Sequence, residues 1–184
     1  MKKFYLFVII MVIFLLDVTM VSAATPTFPN KAKFTRGVKN TCYYVDSTAR
    51  TYLKYIKPAA ISWASLKNNI KNTAVASKAG THIDFYQNTS TIEGLLGVTL
   101  FYDSKGNMVT GYGSEPSVNY NFTRIYLNKN NASYIDTKTI IHEMGHAYGL
   151  AHSLSRYSIM YPDKTSYVST PSSDDNATIN ILYP

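Results

Sequence analysis

The sequence predicts an α+β domain in which helical segments flank a strand-rich middle. Three observations predict it. Apolar residues recur in steps of three and four from Tyr52 to Ile70, the spacing of one helix face. Between His82 and Leu127 the pattern changes to alternation, the spacing of strands. From Thr137 helical spacing returns, and a last capped stretch follows at Ser173.

The first segment is read apart from the domain. Lys2 and Lys3 precede an apolar run from Phe4 to Leu16, Asp17 ends it, and Val21-Ser22-Ala23 offers small residues that a signal peptidase accepts. The run is shorter than the about 20 residues that cross a bilayer. Residues 1–23 therefore read as a signal peptide and the product as a secreted, extracellular protein, with an uncleaved membrane anchor as the competing reading. Residues 24–184 are long enough for a single domain with its own core.

Ala24 to Asn40, with Pro26, Pro29 and Gly37, reads as an extended lead-in. Cys42 to Val45 reads as a strand, with Cys42 as a small buried residue. Ser47 can cap a helix whose face carries Tyr52, Leu53, Ile56, Ala60, Trp63, Leu66 and Ile70. Pro58 has no N–H to donate, which predicts a kink or break near Lys57. Strands follow at His82 to Tyr86 and Gly97 to Tyr102. Lys105-Gly106-Asn107 is a turn from which Met108 to Tyr112 pairs back as a hairpin, and Arg124 to Leu127 alternates again. Ser133 and Asp136 offer caps for the helix from Thr137. Ser173 does so for the final helix, with Asp174 and Asp175 at its positive end and Ile179 and Leu182 on its buried side.

Lys2, Lys3 and Asp17 taken from 18 basic and 11 acidic residues leave 16 against 10 after cleavage. This excess reads as a solvated surface with weak attraction to an anionic cell surface. No segment carries a nucleic-acid-binding motif. The single cysteine excludes an intrachain disulfide, so packing and metal must hold what reads as a monomer.

Three of the four histidines lie within the eleven residues His142 to His152. His142 and His146, four apart on a helix, project from one face and can share a metal ion. Glu143 lies beside the first ligand, within reach of a water at the metal. Gly149 suits a helix end in the left-handed conformation, after which His152 returns as a third nitrogen. Three imidazoles leave one tetrahedral position open, the arrangement of a catalytic zinc.

His142-Glu143-X-X-His146-X-X-Gly149-X-X-His152, followed by Ser158-Ile159-Met160-Tyr161-Pro162, resembles the zinc motif and Met-turn of the metzincin metallopeptidases. Ser153 after the third histidine, the eight-residue step to Met160, and the ending Asp174-Asp175-X-X-X-Ile179-X-X-Leu182-Tyr183 are most similar to matrixins. The resemblance implies a zincin-like catalytic domain, with a twisted, mostly parallel sheet, an active-site helix, a Met-turn and a C-terminal helix. It implies one catalytic Zn2+ on His142, His146 and His152, Glu143 as general base, and Met160 as the apolar floor beneath the metal. A carboxylate of Asp174-Asp175 would anchor other parts of the domain, or the pair would serve only as helix caps.

Three departures from the family pattern matter. The histidine- and aspartate-rich segment that holds a second zinc and calcium is missing, so Ca2+ is not supported and His82 reads as an ordinary strand residue. Lys164 stands where many matrixins have a pocket tyrosine. Asn40-Thr41-Cys42-Tyr43 does not match the family's latency motif, so Cys42 is not expected to be a switch. The expected function is zinc-dependent hydrolysis of peptide or protein substrates paired along a strand edge, with Gly97 to Tyr102 as the candidate strand. The rival readings are a peptidase restricted to one cell-wall or self-derived peptide, and a non-catalytic cationic surface module with a structural zinc.

Overall fold

The computed structural model describes residues 24–66 and 68–184. The expected signal peptide, residues 1–23, lies outside the described residues. Among them, no helix is long and apolar enough to cross a membrane.

Among the described residues, five strands and three α-helices make the domain: β1 (Thr41–Val45), α1 (Leu53–Ala64), β2 (Asn72–Val75), β3 (Ile83–Asn88), β4 (Gly97–Tyr102), β5 (Phe122–Asn128), α2 (Thr137–Ala147) and α3 (Ser173–Leu182). The strands form one sheet in the order β2-β1-β3-β5-β4. Neighbours pair in parallel except β4, which runs antiparallel to β5 at the edge, with Gly97 opposite Leu127 and Tyr102 opposite Phe122. The expected mostly parallel sheet is therefore present.

Strand alternation sorts the side chains by face. Tyr43, Ile83, Phe85, Phe101, Ile125 and Leu127 enter the main core with the helices. Val98, Leu100 and Tyr102 form a second cluster with Phe122 and Tyr126 on the opposite face. There Arg124 lies over the ring of Tyr102, 4.5 Å from its centroid. Trp63 joins α1 to α2: it is fully buried, its indole N–H donates to the carbonyl of Ile141 at 3.0 Å, and its ring meets Tyr148 edge-on.

Several sequence expectations need correction. Pro58 does not break α1, which runs unbroken from Leu53 to Ala64. Its missing bond lies near the start of the helix, and Ile56, Ala59, Ala60 and Trp63 bury the adjoining face. The segment before it, Ser47–Tyr52, is a 3-10 helix capped by Asp46 rather than Ser47, because the Asp46 carboxylate accepts from the Thr48 N–H at 2.9 Å. Met108 to Tyr112 forms no second strand; only Met108 bridges to Tyr102. Ser172, not Ser173, caps α3, and Ser133 falls within a 3-10 helix while Asp136 caps α2. Cys42 is half-buried, because it lies on the sheet face away from the main core.

The lead-in also packs more closely than expected. It contains a 3-10 turn at Pro29–Lys31, and Phe28, Ala32, Phe34 and Val38 are all buried. Thr27 bridges to Leu150, Phe34 bridges to Tyr120, and Thr25 reaches α3. The first described residues thereby brace the second half of the chain.

Candidate active site and metal centre

The Asp136 carboxylate starts α2 by accepting from the N–H and hydroxyl of Thr139 at 2.9 and 3.0 Å. One turn further, His142 and His146 share a face. The helix ends after Ala147, and Gly149 turns the chain at φ 99°. A Cβ there would lie 2.9 Å from the Ala32 carbonyl, so both backbone conformation and space call for glycine.

The turn brings His152 back. Its Nε2 lies 3.2 Å from His142 Nε2 and 3.3 Å from His146 Nε2. His142 Nδ1 faces the Ile159 carbonyl and His146 Nδ1 the Leu150 carbonyl, each at 2.9 Å. A carbonyl only accepts, so the hydrogen sits on Nδ1 and the Nε2 lone pairs of these two rings point inward. Burial holds the pKa of His142 down at about 4 and that of His146 well below the usual range. Partial burial also lowers His152, against the opposing pull of Glu115. Neutral rings with converging lone pairs form a cation site. Two nitrogens about 2.0–2.1 Å from one ion in tetrahedral geometry would be about 3.3 Å apart, so this donor set fits Zn2+. Among the described residues, no other group of three His, Cys, Asp or Glu side chains gathers closely enough to hold an ion.

Glu143 is almost wholly buried, and burial raises its pKa to about 7, opposed by a hydrogen bond from Thr99. The Thr99 hydroxyl lies 2.7 Å from Glu143 Oε2 and 3.0 Å from the Glu143 carbonyl. Gly97 leaves the other side open: a Cβ there would sit 3.0 Å from Oε1. The edge strand β4 thus shapes the space around the carboxylate. Spacing along α2 carries no sign of Thr99 or Gly97, because they approach Glu143 only through the fold.

Met160 is fully buried against Gly145, where a Cβ would come within 2.3 Å of its sulfur. The adjoining Ile159 links two parts of the site. Its carbonyl orients His142, while its N–H donates to Asp175 Oδ2 at 3.0 Å. Asp175 also accepts from Ser158 Oγ and Thr25 Oγ1 at 2.5 Å each, and from Ser172 N–H at 2.7 Å. The two sequence readings of the pair therefore meet in Asp175, which is both cap and anchor.

A cleft of about 760 Å³ runs along α2. Phe28, Phe101 and Glu115 line it near His146 and His152; Tyr134, Lys138, Pro162 and Lys164 line it towards the start of the helix. Phe28, from the lead-in, stacks on the His146 ring at 6.1 Å. Lys164 pairs with Asp136 at 3.2 Å, and Lys138 donates to the carbonyls of Lys164 and Ser166, which braces that wall.

A buried helix carrying two converging imidazoles, a third supplied by the following turn, and a carboxylate opening on a cleft define a metallopeptidase-type centre. The model of the matrixin peptidase family matches residues 59–184, most of the chain and all of this site. The chain belongs to the matrixin family, and so to the zinc metallopeptidases. A comparison with curated proteins finds no match.

Proposed function

We propose that this protein is a secreted endopeptidase that cleaves extended peptide or protein substrates at the centre built on His142, Glu143, His146 and His152. The convergence of three Nε2 atoms beside a buried carboxylate, facing an open cleft, carries the reading. The three histidines would hold the ion. When bound, zinc supplies Lewis acidity to the scissile carbonyl and to a water.

The protein's own groups do the rest. With Oε2 tied to Thr99, Glu143 Oε1 takes the proton of the attacking water and passes it to the leaving amine. The edge strand β4 offers the outer side of Gly97 to Leu100, ahead of the Met108 bridge at Tyr102, for an extended substrate to pair along. Met160 supports the helix turn that bears the ligands. An acid in this position has no use in a purely structural site, which argues against the non-catalytic alternative.

Glu143→Ala tests the reading. It should lower cleavage of an unbiased peptide library by about 10²–10⁴-fold while zinc content and thermal midpoint persist. Cleavage by the wild-type protein should also stop with a chelator. Undiminished turnover by the Glu143→Ala protein would exclude Glu143 as the base.

A further inference from the structure

The four parallel strands begin at one edge of the sheet, and the connections entering that edge carry cations. Lys71 immediately precedes β2, Lys39 lies two residues before β1, and Lys78 lies in the turn before β3. The Lys71 N–H donates to the Val38 carbonyl at 3.2 Å, which sets Lys71 beside Lys39. The Thr81 N–H donates to the Lys78 carbonyl at 3.4 Å. Arg36 ties these connections together through the carbonyls of Gly80, Thr81 and Asn121 at 2.9, 2.6 and 3.2 Å. Lys71 and Lys39 enter neighbouring strands about 4.8 Å apart, and Lys78 lies on the turn that leads into the next strand of the order, so the cations are spread across three adjoining connections.

None of these lysines forms a close ion pair among the described residues, and only Lys78 feels a carboxylate at longer range, that of Asp84. The one ion pair among the described residues, Lys164–Asp136, lies at the cleft. Asp84, the acid closest along these connections, is buried and accepts from the Thr81 hydroxyl, and Asp103 is held within its own turn by Lys105 and Asn107. Lys39, Lys71 and Lys78 are all exposed. No large exposed apolar side chain lies among residues 31–40, 70–72 or 76–82. A bilayer surface would call for such side chains beside the charges, and single-stranded nucleic acid for rings to stack on. A polar spread of cations instead matches a hydrated chain with repeated negative charges.

We propose that this edge docks a linear sugar polymer bearing phosphate or sulfate groups, holding the protein on an anionic matrix. None of these residues lines the cleft, so the polymer and a peptide substrate can be bound together. The inference stands apart from the peptidase reading, because it is measured by binding alone.

Dextran sulfate and phosphorylated dextran serve as probes of the full chain, with neutral dextran as control, at about 0.15 M salt. Lys39→Glu/Lys71→Glu/Lys78→Glu should weaken binding at least about tenfold and flatten its salt dependence. An equal charge change elsewhere, Lys54→Glu/Lys57→Glu/Lys129→Glu, should alter it less than about twofold. Thermal midpoints should match wild type, and should the Glu variant unfold, the Gln triple at the same three positions replaces it with the same direction of effect. Equal losses in the two Glu triples, no charge-dependent retention of the wild type, or tighter binding to anionic vesicles or duplex DNA would each overturn the assignment.

Discussion

Thr99 has one hydroxyl proton and two acceptors within reach, the Glu143 carboxylate and the Glu143 main-chain carbonyl. The shorter contact is to the carboxylate. A charge-assisted bond there fixes the rotation of a group that must meet a water. Thr99→Val removes the hydroxyl at nearly constant volume, and should lower kcat about tenfold while KM stays within about twofold. Thr99→Ser keeps the donor and should hold most of the rate. Equal losses in the two variants, at unchanged zinc content, would mean that packing rather than the hydroxyl matters. At this scale the sequence spoke clearly where chemistry follows chain spacing: His142, Glu143 and His146 lie within a turn or so of one helix, and Gly149 marks its end. Thr99 and Gly97 were silent, because a threonine or glycine in a strand says nothing about what the sheet edge will face.

Elements meet at Asp175. Its carboxylate caps α3, accepts from Ile159, and so supports the carbonyl that orients His142. Asp175→Ala would leave Ser158, Ile159, Ser172 and Thr25 donors without this acceptor inside the fold. The expected cost is roughly 3–5 kcal/mol in urea denaturation, with zinc affinity weakened about 10–100-fold. Destabilisation without any change in zinc affinity would show that Ile159 is held by other contacts. Helix α2 and the whole of β4 were legible in sequence, but the α1 face was carried too far, because that helix ends at Ala64, before Leu66 and Ile70. The polar edge strand β2 was not, since Asn72 and Thr73 give no apolar alternation to read. The hairpin after Gly106 was over-read: the turn forms, but Gly111 and Gly113 follow so soon that pairing stops after one bridge. Pro58 was over-read in the same way, because the rule for an isolated helix gave way to the burial of Trp63 and its neighbours.

For the molecule as a whole, His82 sets a pH dependence of stability. Burial, with a smaller contribution from the Arg36 charge, lowers its pKa from 6.5 to about 4. Between those values the unfolded chain binds a proton that the folded chain refuses, so stability falls as pH drops through the window and levels off below it. The loss should be roughly 1–3 kcal/mol, discounted for water near the ring. Urea midpoints at about pH 7 and pH 4.5 should therefore converge more closely in His82→Gln than in wild type, the histidine ligands being common to both. An identical acid loss in the two proteins would remove His82 from the account. The sequence marked His82 only as an ordinary strand residue; its burial against Phe34 depends on a lead-in whose packing could not be read from prolines and glycine.

The bond between Thr25 and Asp175 joins residues 150 positions apart and shares its acceptor with the segment beneath the metal ligands. During synthesis the support beneath the three histidines therefore cannot be finished until α3 has formed and closed on the beginning of the domain. A chain still without α3 lacks this last clasp between its two ends.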